Sequence, residues 1–103
     1  RQLDGSRSPF DQLQEIVDAV GDKLDVICEG GIHRGTHMLK ALSLGAKACS
    51  GGRLYLYALA AAGQDGVERA INQYRMELVR DMKLMGCTKI SELNRNNLRF
   101  RRS

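Results

Sequence analysis

Two glycine pairs stand out as the places where this chain could do chemistry. The first lies in Glu29-Gly30-Gly31-Ile32-His33-Arg34-Gly35-Thr36, the second in Gly51-Gly52-Arg53. Glycine lets a backbone come close to an anion. A helix beginning just after such a turn aims its first N–H groups, and the positive end of its macrodipole, at the same point. Together these features suit the grip on a phosphate. Arg53 follows the second turn; by residue type alone it reads equally as an ordinary surface or salt-bridged arginine. His33 and His37 also stand four apart, the spacing at which a helix can hold a metal with Glu29 as a third ligand. The favoured reading puts His33 in the loop facing the phosphate and His37 on the helix surface, so no metal is expected.

The elements that must position these turns follow from the flanking pattern. Leu24 to Cys28 is a short apolar run with β-branched Val26 and Ile27, and reads as a strand. Gly35 or Thr36 to Leu44 has the periodicity of a short amphipathic helix closed by Gly45. Ala46 to Ser50, opened by Lys47, is a second strand candidate, and it ends in the second glycine pair. If the two strands pair in parallel, the two glycine turns lie side by side. Before them, Ser8 caps a helix with Pro9 in its first position, Asp11 in its first turn and Gly21 at its end. Leu13, Ile16, Val17 and Val20 form its buried face. The longest helix is expected from Asp65 or Gly66 to about Met85, with Val67, Ile71, Tyr74, Leu78, Met82 and Met85 inward and Gly86 as terminator. Ser91 starts one more short turn. Residues 94–103 read as an irregular basic tail.

The bulk numbers set limits. A chain of 103 residues, 43% of them hydrophobic, is one domain at most. Its longest apolar stretch, Leu54 to Ala62, is too short to cross a membrane. Tyr55 and Tyr57 within it read as packing residues. The net charge of +4 is concentrated in Arg95, Arg99, Arg101 and Arg102. Phe100 is the sole aromatic there, so a solvated or docked terminus is expected and no nucleic acid partner. The three cysteines, Cys28, Cys49 and Cys87, form no CxxC and read as small core residues of a reduced, cytoplasmic protein. The chain begins at Arg1 without a methionine, and an upstream segment is expected.

A parallel pair of strands has two open edges, and three helices cannot cover it. The chain therefore reads as part of a larger α/β structure. The natural parent is a (βα)8 barrel, where a phosphate commonly sits between the loops after strands 7 and 8. An open doubly wound sheet would carry G-x-G-x-x-G, which is missing.

Arg1-Gln2-Leu3-Asp4-Gly5, the run from Glu29 to Thr36, Leu39 to Ala48 and Gly52-Arg53 resemble the C-terminal part of the FMN-dependent 2-hydroxy acid dehydrogenases and oxidases. Gly66-Val67-Glu68 and Met82 to Cys87 extend the likeness. That family includes glycolate and lactate oxidases, mandelate dehydrogenase and the flavocytochrome lactate dehydrogenases. The resemblance implies an α/β fold, namely the C-terminal part of a (βα)8 TIM barrel with two parallel strands and three main helices, incomplete alone. Residues 1–103 would belong to that single barrel domain. It implies FMN as cofactor, held by Glu29, Gly30, Gly31, Ile32, His33, Gly52 and Arg53, and Arg1 as the arginine that binds the substrate carboxylate. The catalytic histidine would stand three residues before Arg1, upstream with the rest of the barrel, so no catalytic residue is assigned here. The family usually has aspartate at the position of Glu29 and arginine at that of His33; Arg34 is the candidate to compensate. The implied activity is oxidation of a small L-2-hydroxy acid to the 2-oxo acid by a homo-oligomer, a tetramer in the family. The competing reading is a non-catalytic phosphate-ligand binding module or an inactive fragment. A nucleotide dehydrogenase would need a catalytic cysteine loop, and none is visible.

Overall fold

The computed structural model describes residues 2–101. Arg1 lies outside them. Helix α1 (Pro9–Val20) starts as its sequence dictates: Ser8 is extended and its Oγ accepts the Asp11 N–H at 3.1 Å. Strand β1 (Ile27–Glu29) begins later than the apolar run suggests, although the Val26 carbonyl just before it already accepts the Lys47 N–H at 2.8 Å. Helix α2 (Gly35–Leu44) ends on Gly45 in the left-handed conformation. Gly21, by contrast, ends α1 with a right-handed φ of −63°, so the two helices stop by different means.

Strand β2 (Ala48–Ser50) pairs with β1 in parallel, Ile27 opposite Ala48, Cys28 opposite Cys49 and Glu29 opposite Ser50. The strands end level. The glycine pairs that follow them are thus neighbours, as the parallel pairing requires.

Helix α3 (Arg53–Met85) is longer than its periodic stretch. The run Leu54 to Ala62, apolar nearly all round, gives no amphipathic period, yet leucine and alanine are strong helix formers and the run is helical. A kink at Ala62 and Gly63 divides α3. Gly63 takes φ +58°, ψ −138°, a conformation open to glycine alone. Beyond Met85 come two 3-10 turns, Ile90–Glu92 and Arg95–Asn97. The second lies in the stretch read as irregular. Arg95 docks there on Asp18 at 2.6 Å, and Leu98 packs against the core.

The core is thin. Leu13, Cys28, Ile32, Ala41, Leu44, Ala46 and Tyr74 form it. Several residues expected inside are not: Ile16 is 44% exposed and Ile71 51%, and Tyr57 projects outward at 66%. The described chain exposes 7970 Å², whereas a self-contained monomer of this size exposes about 5800 Å². Its radius of gyration is 14.7 Å, against about 13 Å for a compact domain of this length. Both excesses fit two βα units whose sheet edges and outer helix faces need neighbours. Among the described residues no helix is long and apolar enough to cross a membrane.

Candidate functional site

The level ends of β1 and β2 open one cavity of about 530 Å³, lined by Pro9, Glu29, Gly30, Gly31, Ile32, His33, Ser50, Gly52, Arg53 and Leu56. All seven residues expected to hold a cofactor lie on its wall. Gly30 and Gly31 have φ of +105° and +73° in succession. A Cβ on Gly31 would meet nothing within 4 Å, whereas one on Gly30 would lie 3.0 Å from Pro9 Cγ; the turn needs glycine for its backbone path and is open at Gly31. Gly51 is held for a different reason: a Cβ there would lie 2.5 Å from the Tyr55 ring. That ring stands edge-on to Tyr74 at 5.7 Å, which makes Tyr55 the packing residue expected of it.

Charge in the cavity is arranged around Arg53. It is the first residue of α3 and makes no ion pair among the described residues, and no side chain caps that helix start. Glu29 lines the same cavity, close to the second glycine turn: a Cβ on Gly52 would be 3.8 Å from Glu29 Oε1. His33 is on the rim. Its N–H donates to His37 Nδ1 at 3.1 Å. Burial, then the charges of Lys40, His33 and Arg34, hold His37 below the usual histidine pKa, which keeps that nitrogen an acceptor. His37 is thus turned toward the loop rather than sitting as a free surface group.

Helix α2 does not offer its N-terminus to a ligand in the way the sequence suggests. The Gly35 N–H donates to Glu77 Oε2 at 2.7 Å, and Thr36 Oγ1 donates to Asp81 Oδ2 at 2.6 Å. Arg34, the candidate to compensate for His33, instead lies 3.5 Å from Glu77 Oε1. Burial pushes the Glu77 carboxyl up, but the bonds from Gly35 and Gln73 and the charge of Arg34 outweigh it and hold its pKa below the usual value. The Thr36 hydroxyl, more than the opposing burial, lowers Asp81. The positive end of α2 is already neutralised from within. The free helix start in the cavity belongs to α3, whose segment before the kink forms a short extra helix after the second glycine turn. Neither Glu77 nor Asp81 was singled out by sequence. The available signal was Arg34 in the cap position of α2, since arginine cannot accept the orphan N–H groups there.

Comparison with known proteins decides the family. Residues 1–100 match the family described as FMN-dependent dehydrogenase. This chain belongs to it. It is 43% identical over 99 residues to a peroxisomal (S)-2-hydroxyacid oxidase of Arabidopsis thaliana, covering 96% of the chain and 27% of that protein. It is 47% identical over 98 residues to the L-lactate dehydrogenase (cytochrome) of Saccharomyces cerevisiae, covering 90% of the chain and 17% of the relative. The flavin-binding domain of baker's yeast flavocytochrome b2 superposes with a TM-score of 0.86 at 46% identity, over 93% of this chain and 26% of that one. A soluble mutant of (S)-mandelate dehydrogenase from Pseudomonas putida gives 0.89 at 36% identity, over 96% and 28%. The chain thus spans less than a third of the length of these relatives. Its two parallel strands and three main helices are the C-terminal part of a (βα)8 barrel. The cavity lies where such barrels place a phosphate, at two neighbouring βα turns and the start of a short extra helix.

Proposed function

We propose that this chain forms the phosphate end of an FMN site in an enzyme that oxidises a small L-2-hydroxy acid, of the lactate, glycolate or mandelate type, to the 2-oxo acid. One observation carries the reading: Glu29, Gly30, Gly31, Ile32, His33, Gly52 and Arg53 line a single cavity at the ends of two paired strands. The donor set fits a phosphomonoester. Gly30 and Gly31 offer amides on a turn that is open at Gly31, Arg53 supplies a guanidinium without an ion-pair partner among the described residues, and the start of α3 adds N–H groups that no side chain caps. His33 lines the rim, and Ile32 fixes the loop through its buried side chain. Glu29, on the same cavity wall, would accept a hydrogen bond from a hydroxyl of the cofactor's sugar-alcohol chain.

FMN, when bound, supplies the acceptor for the two electrons of the oxidation. Arg1, outside the described residues, pairs with the substrate carboxylate, a bidentate task that suits a planar guanidinium. The remainder of the barrel is the necessary partner, and it brings the histidine that takes the substrate proton. We read residues 1–103 as part of that single barrel domain. The three free cysteines suit a reducing compartment, and we place the protein in the cytoplasm as a homo-oligomer, a tetramer. The exposed Leu56 and Leu59 on α3 give apolar surface for neighbours to cover.

The test is the visible spectrum of the full-length protein after desalting. Flavin bands should persist and bleach on anaerobic addition of L-lactate, glycolate or L-mandelate. A colourless protein that takes up no added FMN would refute the proposal.

A further inference from the structure

Within the turn from Gly30 to His33, the bond from the His33 N–H to His37 Nδ1 is a local stay at one end. Two successive glycines sit in the left-handed region, and α2 starts without a side-chain cap of its own. The turn and the start of α2 are nevertheless tied to one helix at three points, one in the turn and two in the first residues of α2. Tyr74 Oη donates to the Ile32 carbonyl at 2.6 Å, the Gly35 N–H donates to Glu77 at 2.7 Å, and Thr36 Oγ1 donates to Asp81 at 2.6 Å. Tyr74, Glu77 and Asp81 step by three and four along α3 and so share one face. The contact is close. A Cβ on Gly35 would lie 2.6 Å from both Leu78 N and the Tyr74 carbonyl oxygen.

Glu77 is 8% exposed. A buried carboxylate is costly unless it is fully partnered, and Gly35, Gln73 and Arg34 all serve it. Those bonds place a negative charge at the one helix start that would otherwise compete with α3 for an anion. They also fix where Ile32 and His33 stand relative to Arg53.

We propose that Tyr74 and Glu77 are positioning residues for the phosphate, acting through Ile32 and Gly35. They hold the first glycine turn in its binding shape before any ligand arrives, and Glu77 closes the α2 terminus so that the anion goes to Arg53 and the start of α3. This rests on the FMN reading above.

The sign of one substitution separates this role from plain electrostatics. Glu77 is an anion near an anion site, so by charge alone its removal would tighten phosphate binding. By positioning, its removal loosens it. The experiment measures dissociation constants for FMN and for riboflavin, which lacks the phosphate, in the full-length protein and its Tyr74→Phe, Glu77→Ala and Glu77→Gln variants. Tyr74→Phe and Glu77→Ala should each weaken FMN about tenfold, the scale of one lost hydrogen bond, and leave riboflavin unchanged. Glu77→Gln keeps an oxygen for the Gly35 N–H and should retain most of the affinity. Tyr74→Phe, which removes one hydroxyl, carries the test if Glu77→Ala does not fold. FMN bound as tightly or more tightly in the variants overturns the proposal, as does an equal loss for both ligands. Wild-type protein that does not prefer FMN to riboflavin would overturn the phosphate reading itself, and this proposal with it.

Discussion

Replacing Gly35 by alanine pits local propensity against packing, and the two predict opposite signs. Gly35 is the first residue of α2 and is not in the left-handed region. By propensity and by loss of unfolded-state freedom, alanine there should stabilise the protein by about 0.4–1 kcal/mol. Packing argues the other way. The new Cβ would lie 2.6 Å from Leu78 N, 2.6 Å from the Tyr74 carbonyl oxygen and 2.7 Å from Glu77 Cβ. The first two are backbone atoms in the middle of α3 and cannot step aside, so α2 must move off the helix. Overpacking of this kind costs about 1–3 kcal/mol. The movement also stretches the 2.7 Å bond from Gly35 to Glu77, and a buried carboxylate left short of a donor costs about 1–3 kcal/mol more. The net expectation is a loss of about 1–6 kcal/mol, a large part of ordinary folding stability at its upper end. Urea unfolding of the full-length protein reads it as a lower midpoint at unchanged slope. A Gly35→Ala protein as stable as wild type, or more so, would refute the close helix contact and the clamp built on it.

Three further outcomes are expected. Glu77 and Asp81 both titrate below their ordinary values of 4.5 and 3.8 in the folded chain; the unfolded state therefore binds more protons in that range, and stability is present above it and lost as pH falls through the lowered values. Unfolding midpoints between pH 3 and 6 should fall toward acid, and less steeply in a Glu77→Gln/Asp81→Asn protein; equal slopes would remove these two groups as the cause. Burial pushes the Cys28 thiol up and, with the neighbouring Cys28, pushes Cys49 up to about 11, so at pH 8 only about a thousandth of Cys49 is thiolate and iodoacetamide mapping should find both unmodified until the protein is denatured. Arg53→Ala should weaken FMN by about 10–100-fold, the worth of a charge-assisted bond to phosphate, with Arg53→Lys partly restoring it; an effect of the same size on riboflavin would place Arg53 outside the phosphate contact.

Where the signal is local, the chain is legible. Ser8-Pro9 starts α1 because the cap and the fixed φ act within one turn. The two glycine pairs come together because each ends a strand, and parallel pairing in register brings those ends level. What escapes is of two kinds. The helix from Arg53 to the kink carries no polar face, so it has no period to read, only helix-forming residues whose meaning depends on neighbours. The other kind is long-range. Glu77 and Asp81 meet their partners 42 and 45 positions away, and no spacing rule along the chain connects them. Yet the need for them is written locally. Arg34 stands where α2 requires an acceptor, and it cannot be one. A helix start so placed must be served from elsewhere, by a ligand or by another element. The sequence pattern alone favours the ligand; the fold supplies a carboxylate from α3, which is why the anion site proposed above lies one helix on, at the start of α3. Both glycine turns keep their part in that proposal, since both line the cavity that holds Arg53.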